Sequence, residues 1–173
     1  MRFCGIAALW VELASGCGYR SVYAQRAGDQ LSVQVGQILI PRALAAQSAA
    51  SGARAELSAA GMLASGDGTP RLVIDVLRID ELSRGIHVAN TGQPAASAMS
   101  IALTARGRVF KRGSQEPELD TGDLRRAVQV AGDVDPREDS SAYDEAVRAA
   151  AEQAGRAIAR AALGIPEPAE EAP

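Results

Sequence analysis

Alternating apolar and polar residues predict three β-strands in this chain, and a run of closely spaced apolar residues predicts a fourth, Arg71–Leu82. The third strand shows the pattern most clearly, because apolar residues from Ile101 to Val109 alternate with Thr104, Arg106 and Arg108. A strand of this kind belongs to a sheet that packs on helices on one side and is open on the other. The four predicted strands cover Leu31–Ile40, Arg71–Leu82, Ile101–Val109 and Leu124–Ala131.

The segments between these strands are expected to hold one helix, one loop and one turn. The Ala-rich stretch Arg42–Met62 favours a helix, and Gly52 predicts a break in it, so the firmer helix is expected over Gly52–Leu63. Ser83–Ser97 is rich in Gly, Asn, Pro and small residues and is expected to be a loop. Lys111–Gly122 is expected to be a charged turn region.

A second helix is predicted near the C-terminal end of the chain. Ser141 can cap it together with Asp144, and Gly164 is expected to end it. Its apolar face repeats every three or four residues and consists of Tyr143, Val147, Ala151, Ala154, Ile158 and Ala162. The predicted order is therefore strand, helix, three strands that follow one another as a meander, and helix.

The start of the chain resembles the processing junction of a bacterial lipoprotein. Arg2 precedes the apolar run Phe3–Val11, and small residues lead up to Cys17. Cleavage before Cys17 would make it the first residue and allow it to carry acyl chains, each buried CH₂ of which contributes about 0.8 kcal/mol of membrane binding. The alternative is an unprocessed helix that contains a buried free cysteine. Gly18 follows the cysteine, and the absence of an Asp there favours the outer membrane.

The composition predicts one domain and excludes several classes of site. We expect a signal peptide over residues 1–16, a lipidated linker over 17–30, one domain over 31–164 and a disordered acidic Pro/Glu tail over 165–173. The formal net charge is −3, and three glutamates of the tail account for it. The remaining body is near neutral, which makes nucleic acid an unsuitable partner. Cys17 would be the only cysteine left after processing, which excludes an intramolecular disulfide and a cysteine-based zinc cluster.

No catalytic or cofactor-binding pattern emerges from the sequence. His87 is the only histidine and lies in a segment rich in Gly and Asn, so a solvated loop residue is the favoured interpretation. The acidic run Asp133–Asp139 lacks the alternating ligands and the glycine of a calcium loop, and an acidic turn before a helix is the simpler reading. We therefore expect no enzyme activity, no cofactor and no metal.

The element order and two local features resemble the lipopolysaccharide-assembly lipoprotein family LptE. These features are the opening Gly16-Cys17-Gly18-Tyr19 and the closing helix, which starts at Tyr143 and repeats alanine. The resemblance implies an α+β fold, in which a four-stranded mixed sheet carries both helices on one face in the order β-α-β-β-β-α. It also implies a plug inside an outer-membrane β-barrel, LptD, on the periplasmic side of the membrane. An accessory lipoprotein of an ABC-type lipid transporter or of a cell-wall synthase is the alternative.

A basic stripe is the sharpest candidate site. It consists of Arg106 and Arg108 on one strand face, with Lys111 and Arg112 just beyond. Because guanidinium groups bind phosphate through paired hydrogen bonds, a lipopolysaccharide phosphate would suit this stripe, and so would the inner wall of the barrel. The alternative is an ordinary solvated strand face whose arginines pair with acids such as Asp75 or Asp80 on a neighbouring strand.

Overall fold

The computed structural model describes residues 30–66, 68–83, 86–88, 94–96, 99–130 and 140–166. The predictions for Cys17, for the acidic run Asp133–Asp139 and for the tail beyond residue 166 lie outside these ranges. The described helices and strands are β1 (Ser32–Ile38), α1 (Ala43–Ala59), β2 (Arg71–Ser83), β3 (Ile86–Val88), β4 (Pro94–Ala96), β5 (Met99–Phe110), β6 (Pro117–Val130) and α2 (Ser140–Leu163).

Four strands form a mixed sheet in the order β1-β2-β5-β6. β1 runs parallel to β2, while β2, β5 and β6 pair antiparallel as the predicted meander. The parallel pair requires a crossover, which α1 provides. The predicted α+β fold, with a four-stranded mixed sheet and two helices, is therefore confirmed. The short strands β3 and β4 follow β2 in the chain and precede β5. They pair with each other and form a separate two-stranded sheet.

One face of the sheet carries the hydrophobic core. The apolar residues of β5 alternate as predicted, and Ile101, Leu103 and Ala105 are fully buried. The residues of β2 that lie opposite Val109, Gly107 and Ala105 are buried as well; these are Leu72, Ile74 and Val76. Both helices contribute to the same core, and the predicted apolar face of α2 is buried from Val147 to Ala162, while Tyr143 is partly buried. The buried residues of α2 are Ala146, Val147, Ala150, Ala151, Ala154, Ile158, Ala159 and Ala162.

Three glycines allow the two helices and the sheet to approach one another closely. A Cβ atom on Gly52 of α1 would overlap the backbone carbonyl oxygen of Glu152, and one on Gly155 of α2 would overlap that of Ala49. On the sheet, a Cβ atom on Gly107 would overlap the side chain of Ile158. Backbone therefore packs against backbone where α1 crosses α2, and Ile158 fills the space that Gly107 leaves.

This packing corrects the prediction for the first helix. Gly52 does not break α1, which runs without interruption over Ala43–Ala59, because the close contact with α2 stabilises the helix at this position. The helix also starts earlier and ends earlier than the predicted range Gly52–Leu63. Gly61 follows its end with a φ of 68°, a conformation that glycine adopts without strain.

Three other local predictions were wrong. The strands β3 and β4 lie within Ser83–Ser97, which was expected to be a loop, and His87 lies in β3. β6 starts at Pro117, inside the predicted turn Lys111–Gly122. Ser141 lies within the first turn of α2 instead of preceding it, and Asp144 pairs with Arg42 at 2.5 Å.

Replacing Gly155 by Ala should destabilise the protein. Alanine favours the helix by about 1 kcal/mol, but overpacking against a backbone oxygen costs about 1–3 kcal/mol, and that oxygen cannot rotate away. We expect a net decrease in melting temperature of several degrees in thermal unfolding of the full chain. The Ser51→Ala variant is the control, since Ser51 is exposed on α1. An unchanged or higher melting temperature for Gly155→Ala would contradict the close helix crossing.

Candidate functional site

The face of the sheet opposite the helices carries the predicted basic stripe. Arg106 and Arg108 both lie on this open face, since Gly107 between them faces α2. The register places Asp75 of β2 and Asp123 of β6 on either side of Arg106, and Asp120 beside Arg108. Charges of both signs therefore alternate across three neighbouring strands.

Arg108 is held by a buried carboxylate. Its Nη2 donates to Oδ2 of Asp75 at 2.7 Å, and the Asp75 side chain is only 5% exposed. The other oxygen, Oδ1, accepts the backbone N–H of Gln37 at 2.7 Å. A Cβ atom on Gly36 would overlap this carboxylate, so the chain of β1 passes directly against it. Asp75 thus ties Arg108 to the irregular part of the edge strand β1, where the register shifts between Val35 and Ile38.

Arg106 forms a more exposed pair with β6. Its Nε and Nη2 donate to the two carboxylate oxygens of Asp120 at 2.8 and 2.6 Å, and Asp123 lies 3.8 Å from its Nη1. The hydrogen bonds from Arg106 lower the pKa of Asp120, and the N–H of Gly122 adds to this effect. The stabilisation that this depressed pKa provides is present at neutral pH and is lost as the pH falls through it.

Lys111 and Arg112 lie in the turn that follows β5. Lys111 pairs with Glu118 of β6 at 2.8 Å, and both side chains are at least half exposed. Arg112 lies beside Gly68, in the segment that precedes β2. The structure therefore brings Arg106 and Arg108 onto one face of β5. Lys111 and Arg112 lie just beyond the end of that strand. Arg106, Arg108 and Lys111 each contact a carboxylate.

The sequence pattern did not reveal the acidic partners on β6. Thr121 and Gly122 form a bulge there, since the register shifts between Arg106 and Arg108 and the hydroxyl of Thr121 accepts the N–H of Gly107. A bulge breaks the period of two, and it places Asp120 and Asp123 on the same face although they are three residues apart. The glycine at position 122 is the sequence signal that could have indicated the bulge, because glycine adopts without strain the positive φ of 68° that the structure has there.

Two negative findings hold for the part of the chain that the structure describes. There, no three His, Cys, Asp or Glu side chains come together in a way that could hold a metal ion. Neither α1 nor α2 is long and apolar enough to span a membrane.

Comparisons with known proteins give a likeness of fold. No protein-family model matches the chain, and the curated proteins give no match either. Among solved structures, a protein of Caulobacter crescentus described as a lipoprotein has a TM-score of 0.51 and 12% identity, and the match covers 78% of this chain and 88% of that one. A minor lipoprotein of Acinetobacter baumannii has a TM-score of 0.44 and 16% identity over 76% and 93% of the chains. Rare lipoprotein B of Shewanella oneidensis has a TM-score of 0.36 and 15% identity over 79% and 98%.

Replacing Asp75 by Asn should weaken the fold and loosen β1. The variant keeps the shape of the side chain but removes the charge that binds Arg108, and hydrogen bonds to charged groups contribute about 1.5–3 kcal/mol. We expect a loss of this size in the free energy of unfolding, measured with urea, together with faster hydrogen exchange at the Gln37 amide. Asp123→Asn is the matched control, since that carboxylate is 58% exposed. Equal effects of the two substitutions would contradict the assigned role of Asp75.

Proposed function

We propose that this protein is a lipid-anchored lipoprotein of the outer membrane, on its periplasmic side. In this proposal Cys17 carries the acyl chains, and the linker from Cys17 to Gln30 connects them to the folded domain. The small residues before Cys17 support this assignment, as does Gly18 after it. The fold is similar to that of a Caulobacter crescentus protein described as a lipoprotein, which agrees with an anchored role.

The finer proposal is that the domain acts without catalysis, as a plug and assembly subunit of a lipopolysaccharide-export β-barrel similar to LptD. The observation that carries it is the fold itself, because the mixed four-stranded sheet with both helices on one side is the fold that the LptE resemblance implies. No helix of the described residues covers the other face of the sheet, which we take as the surface available to a partner.

The charged open face has the properties expected of a surface that meets a polar wall. The lumen of an outer-membrane barrel is polar, and Arg106 and Lys111 are already paired with Asp120 and Glu118, so a partner can cover these two pairs without leaving their charges uncompensated. Arg106, Lys111 and Arg112 are the stripe residues that we assign to this contact. Arg108 holds the buried Asp75, so we assign it to the support of the face.

Affinity capture of the full chain from detergent-solubilised envelopes tests this proposal. We expect an integral outer-membrane barrel protein to co-purify, and we expect intact mass measurement to show acyl chains on the captured protein. The variant Arg106→Glu/Lys111→Glu should recover at least tenfold less of the barrel, because it adds repulsion and removes charge-assisted hydrogen bonds. The control Arg148→Glu/Arg156→Glu makes the same charge change on exposed positions of α2 and should retain the barrel.

Each readout has a result that counts against the proposal. Acyl mass that remains in Cys17→Ser but disappears in Cys4→Ser would remove the assigned anchor. Capture of the components of an ABC-type lipid transporter or of a cell-wall synthase, with no barrel, would replace the plug role by the alternative function. Equal loss of the barrel in both charge variants would show that the contact does not depend on the open face.

A further inference from the structure

Two arginines outside the basic stripe lie on either side of one threonine. Arg78 of β2 is the direct neighbour of Thr104 on β5, and Thr104 is the direct neighbour of Arg125 on β6. All three belong to the open face of the sheet. A register shift in β2 between Val76 and Arg78 produces this row, because without it Leu77 would lie opposite Thr104.

This row, Arg78-Thr104-Arg125, carries an excess of positive charge. Asp80 bridges the two arginines, at 3.0 Å from Nε of Arg78 and 3.7 Å from Nη2 of Arg125. Two cations therefore share one carboxylate, whereas Arg106 alone contacts two carboxylates and Arg108 contacts one that is buried. The side chains of Arg78 and Arg125 are 65% and 49% exposed, so both guanidinium groups can reach a ligand.

The hydroxyl group of Thr104 is the third polar group of this row. It is buried and has no hydrogen-bond partner in the described structure. An unpartnered buried hydroxyl is costly and uncommon in a folded protein, and it requires an explanation. Here the hydroxyl lies between two strands that each present an arginine, where a ligand that accepts hydrogen bonds would give it a partner.

We propose that this row is a binding site for a phosphate group. Neighbouring residues on adjacent strands have Cβ atoms about 5 Å apart, so the guanidinium groups of Arg78 and Arg125 can converge above Thr104 from both sides. A phosphate offers several acceptor oxygens to two guanidinium groups and can also accept from the hydroxyl. Asp80 holds the two arginines in place, and among the residues that the structure describes no second carboxylate balances the other positive charge. The phosphate can belong to a lipid headgroup or be free in solution.

Calorimetric titration of the full chain in dodecyl maltoside micelles tests the site. The two probes are inorganic phosphate and phosphatidic acid dispersed in the same detergent, with sodium chloride at equal ionic strength as the blank. We expect Arg78→Gln and Arg125→Gln each to weaken phosphate binding at least tenfold. Thr104→Val should weaken it severalfold without lowering the melting temperature, because the substitution removes the unpartnered hydroxyl. The control Arg156→Gln removes one arginine charge from the helix layer and should bind as the parent does.

The outcomes separate the site from a general charge effect and from the barrel contact. Tighter binding of phosphatidic acid than of inorganic phosphate indicates a headgroup, and equal binding indicates free phosphate. The proposal is overturned if the parent binds neither probe, if Arg156→Gln costs as much as Arg125→Gln, or if Thr104→Val binds with unchanged affinity. Arg125→Gln that loses phosphate but still captures the barrel would show that this site and the proposed plug role are independent.

Discussion

The close approach of the two helices to each other and to the sheet is the constraint on which the rest of the structure depends. Aromatic residues make up only 3% of the chain, so its core is built mainly from alanine and branched aliphatic side chains. Side chains this small fill the space only if the backbones come close together, and Gly52, Gly107 and Gly155 permit that distance. Both helices then cover one face of the sheet, and neither of them covers the other face.

On the other face of the sheet, ion pairs between neighbouring strands hold the charged side chains in place. Asp75 lies between Arg108 and the bulged edge strand β1, and Arg106 binds Asp120 across the bulge of β6. Because such pairs keep long side chains in fixed positions, the face presents a defined pattern of donors and acceptors. The proposed barrel contact and the proposed phosphate site both lie on this face. The first uses residues of the basic stripe, and the second uses the row Arg78-Thr104-Arg125.

Much of the fold could be predicted from the sequence, because periods of two and of about 3.6 residues report directly which side chains are buried. The faces of β5 and of α2 followed from that rule, and so did the end of α2 near Gly164. The errors fell where tertiary contact overrides local preference. By local preference Gly52 predicts a helix break, whereas the contact with α2 keeps the helix continuous. The bulge at Thr121–Gly122 interrupts the period of two, so the pattern did not predict the part of β6 that contains Asp120. The acids that pair with Arg106 are distant in sequence, so only strand register could reveal them.

Site-specific photocrosslinking in intact cells tests most directly whether the open face meets a barrel. A photoreactive residue placed at Ala127, which is exposed on the open face of β6, can be compared with one at Gln153, exposed on α2. The proposed function predicts a single adduct from Ala127 to an integral outer-membrane barrel protein and a much weaker one from Gln153. Adducts from Gln153 alone, or from Ala127 only to components of an inner-membrane transporter, would contradict it.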